Sequence, residues 1–157
     1  MPTSGDPRGP SERMSAAPTL LLPLGLQPSR LYRSKCVDVL MDEKASKVTI
    51  TAHGGDGVDA SCAISGIMQS AEALLRRGKA YSVVWDLRDS PTPNLRETMR
   101  LAAWGLSKKT ELEHLTTKMG VIVSDGPAAS VAGGLLATFS GVPVVISASA
   151  EEVHRYA

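Results

Sequence analysis

The sequence predicts an α/β domain with a single mixed, mainly parallel sheet of about five strands and helices on its faces. Three observations carry this prediction. Residues 81–85 form an apolar run rich in β-branched and aromatic side chains, which is typical of a strand buried on both faces. Further apolar runs alternate with amphipathic stretches, as parallel strands joined by right-handed helical crossovers require. Two β-rich runs separated by a short polar turn open the domain and favour an antiparallel hairpin.

The first half of the predicted domain follows from local patterns. The hairpin comprises residues 35–41 and 47–52, with the polar turn 42–46 between them. His53 and a glycine-rich corner follow, and Asp59 then caps a helix that ends at Gly78. One face of this helix is predicted to be buried because its apolar residues recur at helical spacing: Ile64, Ile67, Met68, Ala71, Leu74 and Leu75.

The second half repeats the strand-and-helix pattern and completes the order β-β-α-β-α-β-α-β-α. The central strand, residues 81–87, leads to a helix over residues 93–106, continued by Leu112 and Leu115. We expect that helix to bury a face made of Leu95, Met99, Ala102, Ala103 and Leu106. A strand at 118–124, a helix at 127–139 whose Gly133 and Gly134 permit close packing, and a strand at 142–146 follow. Ser149 and Glu152 form a capping box that opens the last helix.

Residues 1–33 are predicted to form a disordered or loosely docked arm that precedes the domain at 34–157. Most of the ten prolines lie within the first 28 residues, together with several glycines and serines. The apolar run at residues 20–26 has two interpretations: it packs on the domain surface, or it docks on a partner. The excess of basic over acidic residues in the arm leaves organelle targeting as a weak alternative to a cytoplasmic location.

Composition excludes several classes of function. The chain has 157 residues, enough for one domain with a core, and its net charge of +1 gives no field for nucleic acid or an anionic membrane. Aromatic residues make up only 4%, which argues against stacking on nucleic-acid bases. No apolar run approaches the roughly 20 residues of a transmembrane helix. Cys36 and Cys62 are expected to be buried free thiols in a reducing compartment.

Element order and three local patterns give the chain a family resemblance over residues 35–157. The strand VVWDL ends in Asp86, the strand VIVSD ends in Asp125, and the closing segment reads VVISASAEEV. With the opening hairpin, these patterns resemble the STAS superfamily of anti-sigma-factor-antagonist-like domains and its branch related to lipid-binding Sec14-type domains. The resemblance implies a non-enzymatic regulatory module or, for the second branch, a carrier of a small apolar ligand.

The resemblance also suggests a phosphorylation site. Signalling members of the superfamily carry an Asp-Ser-Ser-Gly turn whose first serine is phosphorylated. Here Asp89-Ser90-Pro91 follows the central strand, and 93–95, where the family spacing would place the motif, reads Pro-Asn-Leu. Ser90 is therefore the nearest candidate phosphosite; its alternative role is to cap a turn.

The predicted binding residues lie at the carboxyl ends of strands, where open α/β sheets bind ligands. They are His53, Gly55, Gly57, Asp86, Asp89, Ser90, Asn94 and Asp125. Residues 55–60 also fit a dinucleotide-binding fingerprint, but Asp56 and Asp59 would place negative charge beside a pyrophosphate. A small enzyme or nucleotide binder that uses Gly55, Gly57 and Asp86 is the third alternative.

We predict no catalytic residue, cofactor or metal, because the chain lacks the common nucleophile, phosphate-loop and zinc motifs. The expected function is a protein-interaction module. Its partner surface would combine the strand-end loops with the second helix, and replacing Ser90 or Asn94 would weaken partner binding without affecting folding. The alternative is a small apolar-ligand or lipid carrier. The sequence also leaves a homodimer open.

Overall fold

The fold is one mixed sheet of six strands with helices on both faces, seen in a computed structural model that describes residues 28–125, 134, 138 and 141–157. The strands lie side by side in chain order. β1, β2 and β3 pair antiparallel, whereas β3, β4, β5 and β6 pair parallel. Their bounds are Ser29–Arg33 for β1, Val37–Asp42 for β2, Lys47–Ala52 for β3, Tyr81–Asp86 for β4, Thr116–Ile122 for β5 and Val144–Ser147 for β6. The α/β class and the mixed sheet are confirmed.

The predicted count of five strands is wrong, because β1 adds a sixth at the edge of the sheet. Its residues lie in the segment that we expected to be a disordered or loosely docked arm. The stretch SRLYR is short and largely exposed, so it carries little strand signal of its own. It is a strand because β2 offers it a free antiparallel edge, with Arg30 opposite Leu40 and Arg33 opposite Asp38.

Four helices are described: α1 Ala60–Arg76, α2 Leu95–Ser107, α3 Lys109–Leu115 and α4 Ala150–Tyr156. The helix predicted from residue 93 breaks at Lys108, whose dihedral angles of −106° and 7° depart from helical values, so that α2 and α3 are separate. Asp59 and Ser149 cap α1 and α4 as predicted. The helix predicted over residues 127–139 lies outside the described residues, apart from Gly134 and Thr138, which are helical.

The main core lies between the sheet and α1. Alternate residues of β2, β3 and β4 point to this side, among them Val39, Ile50 and Trp85, and they pack against α1. The helix approaches β2 closely at Gly66, where a methyl group would stand 2.6 Å from Cγ2 of the buried Val37. A smaller apolar cluster on the opposite face joins β4 and β5 to α4: Val84, Ile122 and Val153.

Helix α2 is rotated relative to the sequence prediction. Most of the face that we expected to be buried is exposed and its Ala102 is half-buried, whereas Glu97 and Gly105 are buried and Leu101 and Trp104 pack against the core. Polar contacts to α1 fix this rotation. The indole Nε1 of Trp104 donates to Oε1 of Glu72 at 2.9 Å. The predicted face was wrong because a second apolar row, Leu101 and Trp104, runs along the same helix.

Cys36 and Cys62 form a disulfide, so the prediction of two free thiols is wrong. The bond links the residue before β2 to the first turn of α1. Their Cα atoms are 6.1 Å apart, within the ordinary range for a disulfide. The two cysteines meet because the N-terminus of α1 lies over the start of β2. They are 26 residues apart in the sequence, so no local sequence pattern indicates this tertiary contact.

Reducing the disulfide should lower the free energy of unfolding by about 3 kcal/mol, because a closed loop of this length restricts the unfolded chain. Urea denaturation with and without reductant measures the difference. The Cys62→Ser variant is the control, and its stability should not respond to reductant. Two titratable thiols in the native, unreduced protein would contradict the bond.

Candidate functional site

The loops that follow β3 and β4 meet at the carboxyl edge of the sheet. The backbone N–H of His53 donates to the carbonyl of Cys36 at 2.8 Å, which ties the end of β3 to the start of β2. A side chain at Gly54 would collide with the carbonyl oxygen of Asp89, so the two loops are in direct contact. The structure thus brings the predicted residues of these loops into one region, as the parallel pairing of β3 and β4 requires.

The glycine-rich corner has a backbone explanation. Gly55 and Gly57 have φ angles of 122° and 73°, which residues with side chains adopt rarely. The ammonium group of Lys35 donates to the Gly57 carbonyl at 3.0 Å, and the Asp59 carboxylate accepts from the backbone N–H of Cys62 at 2.8 Å. A carboxylate therefore occupies the position over the α1 N-terminus that a pyrophosphate takes in a dinucleotide site. The glycines are needed for the turn itself.

Asp86, at the end of the central strand, is held by an arginine only two residues away. Arg88 forms a bidentate ion pair with it, with Nε to Oδ1 at 2.9 Å and Nη2 to Oδ2 at 2.6 Å. These hydrogen bonds lower the pKa of the Asp86 carboxyl below its ordinary value, although partial burial opposes them. Asp86 is consequently an ionised, paired carboxylate, which suits a fixed polar surface better than proton transfer. Sequence reasoning did not identify Arg88 as its partner.

A histidine of α4, His154, lies near this ion pair. Partial burial lowers the pKa of His154, and the charges of Lys47 and Arg88 act in the same direction, whereas the Asp86 carboxylate opposes them. Lys47 donates from Nζ to the backbone carbonyl of His154 at 2.7 Å. His154 is therefore neutral near pH 7, and Arg88 is the cation beside Asp86 on the side of the sheet covered by α4.

The other predicted residues have different surroundings. Ser90 is half-buried, and its backbone N–H closes a turn to the Leu87 carbonyl at 3.1 Å. Asn94 caps α2, since its Oδ1 accepts from the backbone N–H of Glu97 at 2.9 Å. Ser90 therefore lies before the cap and not at the first turn of the helix. Asp89 and Asp125 are exposed. Within the described ranges, no group of three or more His, Cys, Asp or Glu side chains could hold a metal ion.

Two cavities lie beside these elements. One, of about 40 Å³, is lined by residues of α1, of the loop after β4 and of α2, including Ile64, Ser90 and Leu101. The other, of about 30 Å³, lies under α1 and α3 and is lined by Leu74, Trp85 and further apolar residues. Sites for organic ligands usually measure about 300–1,000 Å³, so neither cavity could hold a lipid tail.

Among the described residues, the most exposed large apolar side chains lie on the outer side of α2. Leu95, Met99 and Leu106 retain 78%, 63% and 58% of their accessible surface. With the half-buried Ala102 they form a row that we call the α2 outer face. Helix α2 follows directly from the loop that carries Asp89 and Ser90, so this face adjoins the strand-end loops. The sequence prediction named these residues but placed them on the buried side of the helix. The signal for the side that is buried was Trp104, a large side chain seven residues after Glu97 and therefore on the same side of the helix.

A scan against protein-family models, a search of curated proteins and a search of solved structures each returned no match. The resemblance to STAS domains therefore stays a prediction. Across the part of the chain that the structure describes, no helix combines the length and apolar character needed to span a bilayer.

Replacing Asn94 with alanine should lower the free energy of unfolding by about 1 kcal/mol, because the first turn of α2 loses a hydrogen-bond acceptor. Asn94→Ser is the matched control, since serine caps helices comparably well. Chemical denaturation of both variants measures the effect. An Asn94→Ala variant as stable as the wild type would show that the cap does not contribute, and would restore the expectation that this residue acts without affecting folding.

Replacing Arg88 with glutamine should make stability less dependent on acid pH. Because the folded-state pKa of Asp86 lies below the unfolded value near 3.8, its contribution is present above that pH and is lost as the pH falls through the folded-state pKa. The wild type should therefore exceed Arg88→Gln in unfolding free energy at neutral pH, with a difference that shrinks below about pH 4. Urea denaturation between about pH 2 and pH 7 tests this. Arg33→Gln, at an exposed arginine of β1, is the control; a difference independent of pH would refute the assignment.

Proposed function

We propose that this protein is a non-enzymatic protein-interaction module that binds through the α2 outer face and the adjoining strand-end loops. The single observation that carries the proposal is the exposure of three large apolar side chains in one row of one helix. Scattered apolar residues are normal on a protein surface, but a contiguous row is typical of an interaction site.

The construction of α2 supports this function. The helix is fastened to α1 on its inner side, where Arg100 donates from Nη1 to Ser61 Oγ at 3.3 Å and to Glu97 Oε2 at 3.0 Å. Its start is fixed by the Asn94 cap. The outer face is consequently presented on an element whose rotation is set independently of any partner, which reduces the ordering cost of binding.

The strand-end loops supply a polar rim to this face. Asp89 is exposed in the loop that leads to α2, whereas the Arg88 guanidinium is held by Asp86 on the side of the sheet covered by α4. An apolar centre with a polar border is the usual arrangement of a protein-binding surface. The regulatory role that the STAS resemblance implies, with Ser90 as a phosphosite, is compatible with this surface, because Ser90 lies in the loop that leads to α2.

The alternatives draw less support from the geometry. The glycine corner and Asp59 have structural roles at the α1 N-terminus, and Asp86 is engaged by Arg88. Neither cavity among the described residues, of about 30 and 40 Å³, favours a lipid carrier, and the helix predicted to open a pocket lies largely outside the described residues. Protein binding is thus the function for which a specific surface can be named.

Native mass spectrometry of full-length protein purified gently from its own source tests the proposal. We expect it to carry a bound protein chain, and we expect Met99→Glu to lose that chain because a charge would be buried in the apolar contact. Ala73→Glu, an exposed position on α1 with the same charge change, is the matched control and should retain the chain. A bound small molecule without any protein chain would contradict the proposal.

A further inference from the structure

We propose that the occupant of the α2 outer face is the α2 outer face of a second copy of this chain, docked antiparallel about a two-fold axis. This inference rests on the proposed function, since it names the partner of the same surface. The juxtaposition that carries it is the row Leu95, Met99, Ala102 and Leu106, whose large and small side chains complement those of a second, antiparallel copy.

The spacing of the row is that of a helix–helix seam. Its four members are separated by four, three and four residues, which is the a/d pattern of a two-helix contact over nearly two heptads. The row lies on the side of α2 opposite to the buried Glu97 and to Trp104, which packs against the core, so it points away from the domain. A second helix can approach it without displacing α1.

Size complementarity selects the antiparallel orientation. With the two-fold axis between residues 100 and 101, Met99 meets Ala102 of the second copy, and Leu95 meets its Leu106. Each of the two inner layers then pairs a long side chain with a small one, so the layers fill evenly. A parallel pair would instead place alanine against alanine and methionine against methionine, which leaves a gap at one layer and crowding at the next.

Charge also permits this pairing. On α2, the only carboxylate is Glu97, which is 8% exposed and paired with Arg100 on the inner side. Arg96 is the one exposed charge that borders the row within α2, and in the antiparallel pair it lies beside Ala103 of the second copy. Within α2, no like charges are placed opposite each other, and the two helix dipoles run in opposite directions. An isologous contact needs this kind of self-complementary patch.

The length of α2 determines how tightly the two copies are expected to associate. Its 13 residues span about 20 Å, so the contact belongs to the small interfaces typical of weak association. We therefore expect a dimer with a dissociation constant on the order of micromolar, in equilibrium with monomer.

Sedimentation equilibrium of the recombinant full chain between about 1 and 100 µM tests the association, a range that brackets this expected affinity. The wild type should shift from monomer to dimer, and Met99→Glu should raise the dissociation constant at least about a hundredfold, since each dimer would bury two carboxylates. Ala73→Glu should leave it unchanged. A wild-type monomer at the highest concentration, or a Met99→Glu variant that still dimerises as the wild type does, would overturn the proposal.

Cysteine crosslinking tests the orientation. A mixture of Leu95→Cys and Leu106→Cys chains should give a crosslinked heterodimer on mild oxidation, whereas each variant alone should crosslink poorly; the native cysteines are already joined to each other. Efficient crosslinking of each variant with itself would instead indicate a parallel pair and refute this arrangement.

Different results would contradict the interaction module and the dimer. A different protein chain seen by native mass spectrometry, lost in Met99→Glu while the wild type remains monomeric by sedimentation, would overturn the dimer and leave the interaction module standing. A wild type with neither self-association nor a bound chain would overturn both.

Discussion

The structure depends on the position of β4 inside the sheet. This strand is hydrogen-bonded to β3 on one side and to β5 on the other, and residues 81–85 are all buried. A strand of this kind must be covered on both faces, because its alternate side chains point in opposite directions. Trp85 packs in the core with α1, whereas Val84 packs with Val153 of α4. The first charged position, Asp86, therefore falls where the strand leaves the core, and it marks the edge at which the loops meet.

Much of this arrangement could be predicted because it depends on short-range rules. The apolar run of β4, the polar turn before β3, and the caps Asp59 and Ser149 are each local signals, and each is confirmed. The convergence of the loops after β3 and β4 also followed, since parallel strands end at the same edge. What could not be predicted depends on tertiary contacts: the disulfide needs the placement of α1 over β2, and β1 needs the free edge of β2.

Helix α2 shows why hydrophobic periodicity alone is insufficient. It carries two apolar rows, and either would satisfy a helical period. The buried row is the one with Leu101 and Trp104, because Trp104 has a hydrogen-bond acceptor in Glu72 and Arg100 reaches Ser61 across the helix pair. Whether an amphipathic side chain is buried depends on whether its polar group finds a hydrogen-bond partner, as well as on its apolar area. The same partners that decide which row is buried leave the other row exposed. The residues of the candidate surface were therefore predicted correctly, but their environment was not.

The attachment of α2 has a consequence for dynamics. The helix is held to α1 through a short apolar contact and a group of side-chain hydrogen bonds, and its large outer side chains stay mostly exposed. Elements with few buried apolar contacts open locally at a lower free energy than the core does. The backbone amides of α2 should therefore exchange with solvent deuterium well before those of β4. Occupation of the outer face would suppress this opening, so slower amide exchange within a single helix becomes a direct record of how much of the protein is bound.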